Sequence, residues 1–173
     1  MTQWQNDKRW SDRFLPEIKG ILGQHLIGEP PAEEDAERNT DLMVLRMEAV
    51  RIGCRIRKNQ YLERYGNEFT IRAGRPSGVK TELTKIIEGW GDYFFYGFAC
   101  PAERRLVRWA LADMKVFRAA YMRKLAASGP GCVPGMGKRN LDNSSSFVAF
   151  RWVDFPPEMM IAYGPRGDSE VAA

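Results

Sequence analysis

The chain has 173 residues, 44% of them hydrophobic and 12% aromatic, enough apolar material for one packed core. Its longest apolar run, Tyr93 to Cys100, falls far short of the roughly 20 residues a membrane-spanning helix needs, and the N-terminus MTQWQNDKRW is polar, so membrane and secreted classes are set aside and a cytoplasmic protein is expected. The formal net charge is only +4, but Glu33, Glu34, Asp35 and Glu37 crowd one segment while arginines dominate 46–57 and 104–124, a segregation that suits a nucleic-acid partner as well as a solvated surface.

In chain order, Phe14, Leu15, Ile18, Ile21, Leu22 and Leu26 recur at helical spacing behind Ser11, which predicts a capped amphipathic helix over 12–27 with Pro16 in its first turns. The acidic GEPPAEEDAERN segment then reads as an exposed connection. A short strand is expected at 42–45. In 50–57, Val50, Ile52, Cys54 and Ile56 alternate with Arg51, Gly53, Arg55 and Arg57, and Asn67 to Ala73 repeats the pattern with Phe69 and Ile71 inward. These two strands are expected to be neighbours in one mixed sheet, with Arg55, Arg57, Glu68, Thr70 and Arg72 on a common polar face.

After AGRPSG, Thr81 caps a predicted helix that turns Leu83, Ile86, Ile87 and Trp90 inward, leaving Glu82 and Lys85 as a surface pair or as accessory site residues. Tyr93 to Ala99 is an aromatic-rich strand, and 102–125 is predicted as the longest helix. On that helix Arg104, Arg108, Lys115 and Arg118 form a cationic stripe opposite Leu106, Trp109, Val116 and Phe117. Asp113 falls within the apolar face and needs a partner, an arginine or a site. A long loop over 129–146, carrying Lys138 and Arg139 among glycines, leads to a last strand at 147–153 and a tail over 164–173 expected to be disordered. The glycines and cations of that loop could cradle phosphate or simply form a flexible connection. Cys54 and Cys100 lie in apolar stretches that suit buried free thiols, and with Cys132 and His25 they lack the close spacing of a zinc site.

The result is a single α/β domain over 1–163, a mixed sheet flanked by helices in the order α-β-β-β-α-β, followed by a long helix and a strand. That order, with Glu17 on the first helix, Asp41 opening an early strand and basic residues on the next, resembles the PD-(D/E)xK nuclease-like superfamily. The phrases EFTIR, KTELTKIIEGWGDYFFYGFA and DNSSSF are similar to small phage and prophage proteins, which implies the cytoplasm of a host cell. The resemblance implies a restriction-endonuclease-like core in which Asp41 and Glu17 hold Mg2+ or Mn2+ and no organic cofactor is needed, with Glu68 on the neighbouring strand as a candidate replacement for the third carboxylate, which puts Thr70 in the lysine position. Asp41 equally suits a turn at the strand entrance, and Glu17 suits an ordinary surface position at the edge of the apolar stripe of its helix.

The sequence departs from the superfamily where an acid and a lysine should stand two residues apart: the pairs available are Gly53 with Arg55, or Arg55 with Arg57. Arginine holds a phosphate but does not serve easily as a base. Arg55 and Arg57 are therefore site candidates for phosphate contact. Arg51, Arg72, Arg75, Lys85, Arg104, Arg108, Lys115, Arg118, Lys138 and Arg139 are candidates for the wider nucleic-acid surface. The implied functions are a divalent-metal-dependent nuclease, or a non-catalytic derivative of the fold that binds nucleic acid or a host protein, as a phage inhibitor or counter-defence factor does. A pure protein-interaction module is the third class.

Overall fold

The computed structural model describes residues 3–28, 43–44, 50–128, 134–140 and 145–164. Asp41, the acidic connection after Gly28, Cys132 and the tail after Gly164 lie outside the described residues. Helices α1 (Gln3–Asp12) and α2 (Leu15–Leu26) lead into the short strand β1 (Ile27–Gly28), which pairs antiparallel with β2 (Met43–Val44) inside the expected strand at 42–45. Strand β3 (Ile52–Arg57), helix α3 (Leu62–Tyr65), β4 (Glu68–Gly74), α4 (Glu82–Ile87), β5 (Tyr93–Ala99) and β6 (Leu106–Asp113) follow. Helix α5 (Met114–Ser128) and strands β7 (Met136–Arg139), β8 (Ser146–Arg151) and β9 (Met160–Gly164) complete a mixed α/β fold.

Two larger sheets carry the structure. The first has the order β3-β5-β6-β9, with β3 parallel to β5 and the other pairs antiparallel; the second, β4-β8-β7, is antiparallel throughout. Strand β5 explains why its sequence is almost wholly apolar. Phe94, Tyr96 and Phe98 join the core shared with β4, β8 and α5, while Phe95 and Ala99 point the other way into the core that includes Phe14, Ile18 and Leu22. A strand covered on both faces has no polar side to show. Gly97, on the second of those faces, leaves room for the neighbouring strands, since a Cβ there would come within 3.2 Å of Ile56 Cδ1.

The larger core centres on Phe69, which is 0% exposed and packs against Phe94, Phe117, Phe150, Trp152 and Phe155 with ring centroids 4.3–6.4 Å apart. Aromatic packing of this kind adds to the burial of area alone. It ties both sheets to α5.

Several expectations are corrected. Residues 12–27 do not form one helix: the chain breaks between α1 and α2, where the Phe14 amide donates to the Ser11 carbonyl, so Ser11 sits inside α1 and Phe14 is free to drop into the core. Strands β3 and β4 are not neighbours in a sheet but edge strands of two different ones. The stretch 102–125 is not one helix, because Leu106 to Asp113 pairs with β5 on one side and β9 on the other. Like β5, β6 contributes to both cores, through Leu106 and Leu111 on one face and Ala112 on the other, so no period-two alternation betrays it. The cationic stripe predicted there is consequently split between a turn, a strand and a helix.

Asp113 has a different partner from the arginine expected. Its Oδ1 accepts the backbone N–H groups of Lys115 at 2.6 Å and Val116 at 3.1 Å, making it the N-cap of α5. The expected loop over 129–146 contains β7, and β9 forms after the expected last strand. Cys54 is exposed rather than buried, although Ile52 and Ile56 on the same side of β3 pack into the smaller core, while Cys100 is buried as expected. No helix among the described residues is long and apolar enough to cross a membrane.

The capping geometry sets a first test. Asp113→Ala should lower the free energy of unfolding in urea by about 1 kcal/mol, and Asp113→Asn by less, because asparagine also caps. An aspartate inside a continuous apolar helix face would behave oppositely, with alanine stabilising the protein.

Candidate functional site

The open edges of β3 and β4 face each other, and side chains close the gap. Because alternate residues of an edge strand point their backbone groups away from the sheet, the Thr70 carbonyl and the Arg72 N–H of β4 need partners from elsewhere. Arg55 of β3 donates Nη1 to the Thr70 carbonyl at 2.9 Å, and Glu82 of α4 accepts the Arg72 N–H at 3.0 Å. The Arg55 Nη2 and Glu82 Oε2 then pair with each other. Thr70 is itself buried, and its hydroxyl lies within reach of Arg55 at 3.3 Å, Arg57 at 3.2 Å and the Tyr96 hydroxyl at 3.3 Å. Two arginines take up its lone pairs, so its proton goes to Tyr96.

Beside this closure lies a cleft of about 380 Å³, within the range typical of small-ligand sites. Its charge is lopsided. Arg55, Arg72, Arg75, Lys80 and Lys85 line it against the single carboxylate of Glu82. Arg55 is neutralised by Glu82 and Lys80 by Glu88 at 2.7 Å, which leaves Arg72, Arg75 and Lys85 without an ion pair among the described residues. Burial pushes the Arg72 guanidinium below the usual arginine range, and the charges of Arg75 and Arg55 push it further in the same direction, against the opposing pull of Glu82. Cations held together against their own repulsion form a site that an anion would relieve.

An indole forms part of the cleft wall. Trp90 is 59% exposed, and the Arg51 guanidinium lies 5.5 Å from its ring centroid. The inward position expected for Trp90 is corrected because α4 ends at Ile87, and Gly89 and Gly91, at φ 96° and 81°, turn the ring outward. Nothing in the apolar spacing showed this; the Gly-Trp-Gly sequence was the available signal.

The structure brings together Arg51, Arg55, Arg72, Arg75 and Lys85 of the expected site residues, and Arg57 beside them with its guanidinium 4.5 Å from the Tyr61 ring centroid. The others lie elsewhere. Both carboxylate oxygens of Glu17 accept the Leu106 N–H at 3.0 Å, so this residue joins α2 to the start of β6. Glu68 faces Lys138 at 3.8 Å, and the Lys138 ammonium also lies 4.7 Å from the Tyr65 ring centroid. Arg118 donates to the Gly91 carbonyl at 3.0 Å, clamping the turn that carries Trp90. Arg108 bonds Asn67 at 2.9 Å, while Arg104, Lys115 and Arg139 are exposed on separate elements. Among the described residues no three acids, histidines or cysteines gather as metal ligands.

Comparison of the chain with protein-family models, curated proteins and solved structures finds no match. The site is therefore read from its own geometry.

Glu82 holds the cleft together electrostatically, which gives a second test. Glu82→Gln keeps the shape but removes the charge facing Arg55 and Arg72, and should lower the free energy of unfolding by about 1–3 kcal/mol. Sulfate should raise the Tm of this variant more than that of the wild type, by screening and bridging the cations. Equal stability and equal sulfate response would show that the cationic crowding is not real.

Proposed function

We propose that the chain binds nucleic acid, with the phosphodiester backbone received by the cleft between β3, β4 and α4. The observation that carries this reading is the set of three cleft cations, Arg72, Arg75 and Lys85, that no carboxylate pairs among the described residues. A protein that neutralises phosphates with lysine and arginine gains affinity from counterion release and needs no base contacts to do so. Arginine suits the task because its planar fork matches two phosphate oxygens.

Binding without cleavage is the better supported form of the proposal. In place of the acid and lysine that the superfamily resemblance would require, β3 offers only Gly53 with Arg55 or Arg55 with Arg57, and both arginines donate into the closure of the two sheet edges. Both carboxylate oxygens of Glu17 accept the Leu106 amide, and Glu68 lies 3.8 Å from the Lys138 ammonium, its buried Oε2 without a hydrogen bond among the described residues. The free thiols of Cys54 and Cys100 support a reducing, cytoplasmic setting.

The test is salt-dependent binding. Wild-type protein should bind a short oligonucleotide at low salt, and Arg72→Ala with Arg75→Ala should weaken it at least about tenfold, reducing the slope of log affinity against log salt by about 0.7–0.9 for each phosphate no longer neutralised. Arg104→Ala with Lys115→Ala, outside the cleft, should have the smaller effect. Equal losses in the two double variants would place binding on general surface charge and contradict the proposal.

A further inference from the structure

We infer that the cleft takes a single strand, DNA or RNA, with one unpaired base stacked on Trp90; this rests on the reading of the cleft as a nucleic-acid site. The independent observation is the indole. A tryptophan 59% exposed is not contributing to the core, and ordinary burial would have placed it among the phenylalanines a few residues later. Nor does it hang on a loose loop. The Trp90 N–H donates to the Lys85 carbonyl at 2.9 Å, Gly89 to the Ile86 carbonyl at 3.1 Å, and the Gly91 carbonyl is held by Arg118 at 3.0 Å. Arg51 is fixed in turn, its N–H bonded to Asp92 Oδ2 at 2.8 Å and its carbonyl accepting the amides of Asp92 and Tyr93. The turn that presents the ring outward is therefore set in place before any ligand arrives, which reduces the ordering cost of binding.

An exposed aromatic face beside cations is the combination that binds single strands: the cations follow the backbone and the ring stacks a base, whatever the base is. In a duplex the base faces are already stacked on one another, and only their edges are presented in the grooves. An indole on the wall of a concave cleft has no duplex surface to match. The volume of about 380 Å³ also suits a nucleotide-sized group and not the width of a double helix. With Arg72, Arg75 and Lys85 on the same cleft, and the Arg51 guanidinium 5.5 Å from the ring, a stacked base would have cations within reach of its flanking phosphates. Stacking discriminates weakly among bases, so the expected preference is for strandedness and not for sequence.

The experiment compares a mixed-sequence single-stranded oligonucleotide with its duplex, at one salt concentration, for wild type, Trp90→Ala, Trp90→Phe and the Arg72→Ala, Arg75→Ala double variant, each checked for native circular dichroism. Wild type should prefer the single strand. Trp90→Ala should weaken single-strand binding about 5- to 150-fold, Trp90→Phe should retain most of it, and the duplex should be nearly indifferent to both. The double arginine variant should lose single-strand binding. If Trp90→Ala binds the single strand as wild type does while the arginine variant fails, the cleft holds phosphates alone and stacking is overturned with the nucleic-acid reading intact. Equal wild-type affinity for single strand and duplex overturns it likewise. Wild-type protein that binds neither form at low salt overturns the nucleic-acid reading itself, and with it this inference.

Discussion

Two sheet edges that would otherwise be left open meet at one arginine. Strands β3 and β4 form no ladder with each other, yet each ends its sheet among the described residues, so their outward backbone groups must be satisfied by side chains. Arg55 reaches across to the Thr70 carbonyl, Glu82 takes the Arg72 N–H, and the two side chains pair with each other. Removing either partner would leave a half-buried charge and an unpaired backbone group at once, a combination more costly than the loss of an exposed ion pair.

The cleft follows from that closure. Glu82, on the first turn of α4, is drawn to β4 by the Arg72 amide, and this brings the helix and the turn after it to the edge of the sheet. The remaining cations then have too little negative charge around them. Arg72 shows the consequence, since its guanidinium is disfavoured by burial and by Arg75 and Arg55 together. Such crowding is what the proposed anionic ligand would relieve, and the turn clamped by Arg118 adds Trp90 to the cleft wall.

Much of this was legible in the sequence and some of it could not be. Strand β5 was readable to the residue because a short apolar run as rich in aromatics as YFFYGFA suits a strand covered on both faces. The alternation in β3 and β4 correctly separated Phe69 and Ile71 from the polar positions, and of the five residues it put on one polar face Arg55, Arg57, Thr70 and Arg72 meet around the closure while Glu68 faces Lys138 instead. What alternation could not show is whether two strands share a ladder, since side-chain contact across two sheet edges imposes the same pattern. Strand β6 has the look of a helix because, buried on both faces, it lacks alternation, and Asp113 is obscured with it although an aspartate before a helical run is an N-cap signal. Trp90 is hidden by the helical spacing of a segment that its flanking glycines have already ended.

Photocrosslinking tests most directly whether this cleft is the nucleic-acid site. A single-stranded oligonucleotide containing a photoreactive pyrimidine is irradiated with wild-type protein, and the adduct is mapped by mass spectrometry after trypsin. The account predicts attachment to the tryptic peptide spanning 86–104, which carries the cleft residues Trp90 and Tyr93. Adducts confined to Tyr61, Tyr65 or Tyr163, with that peptide unmodified, would contradict it.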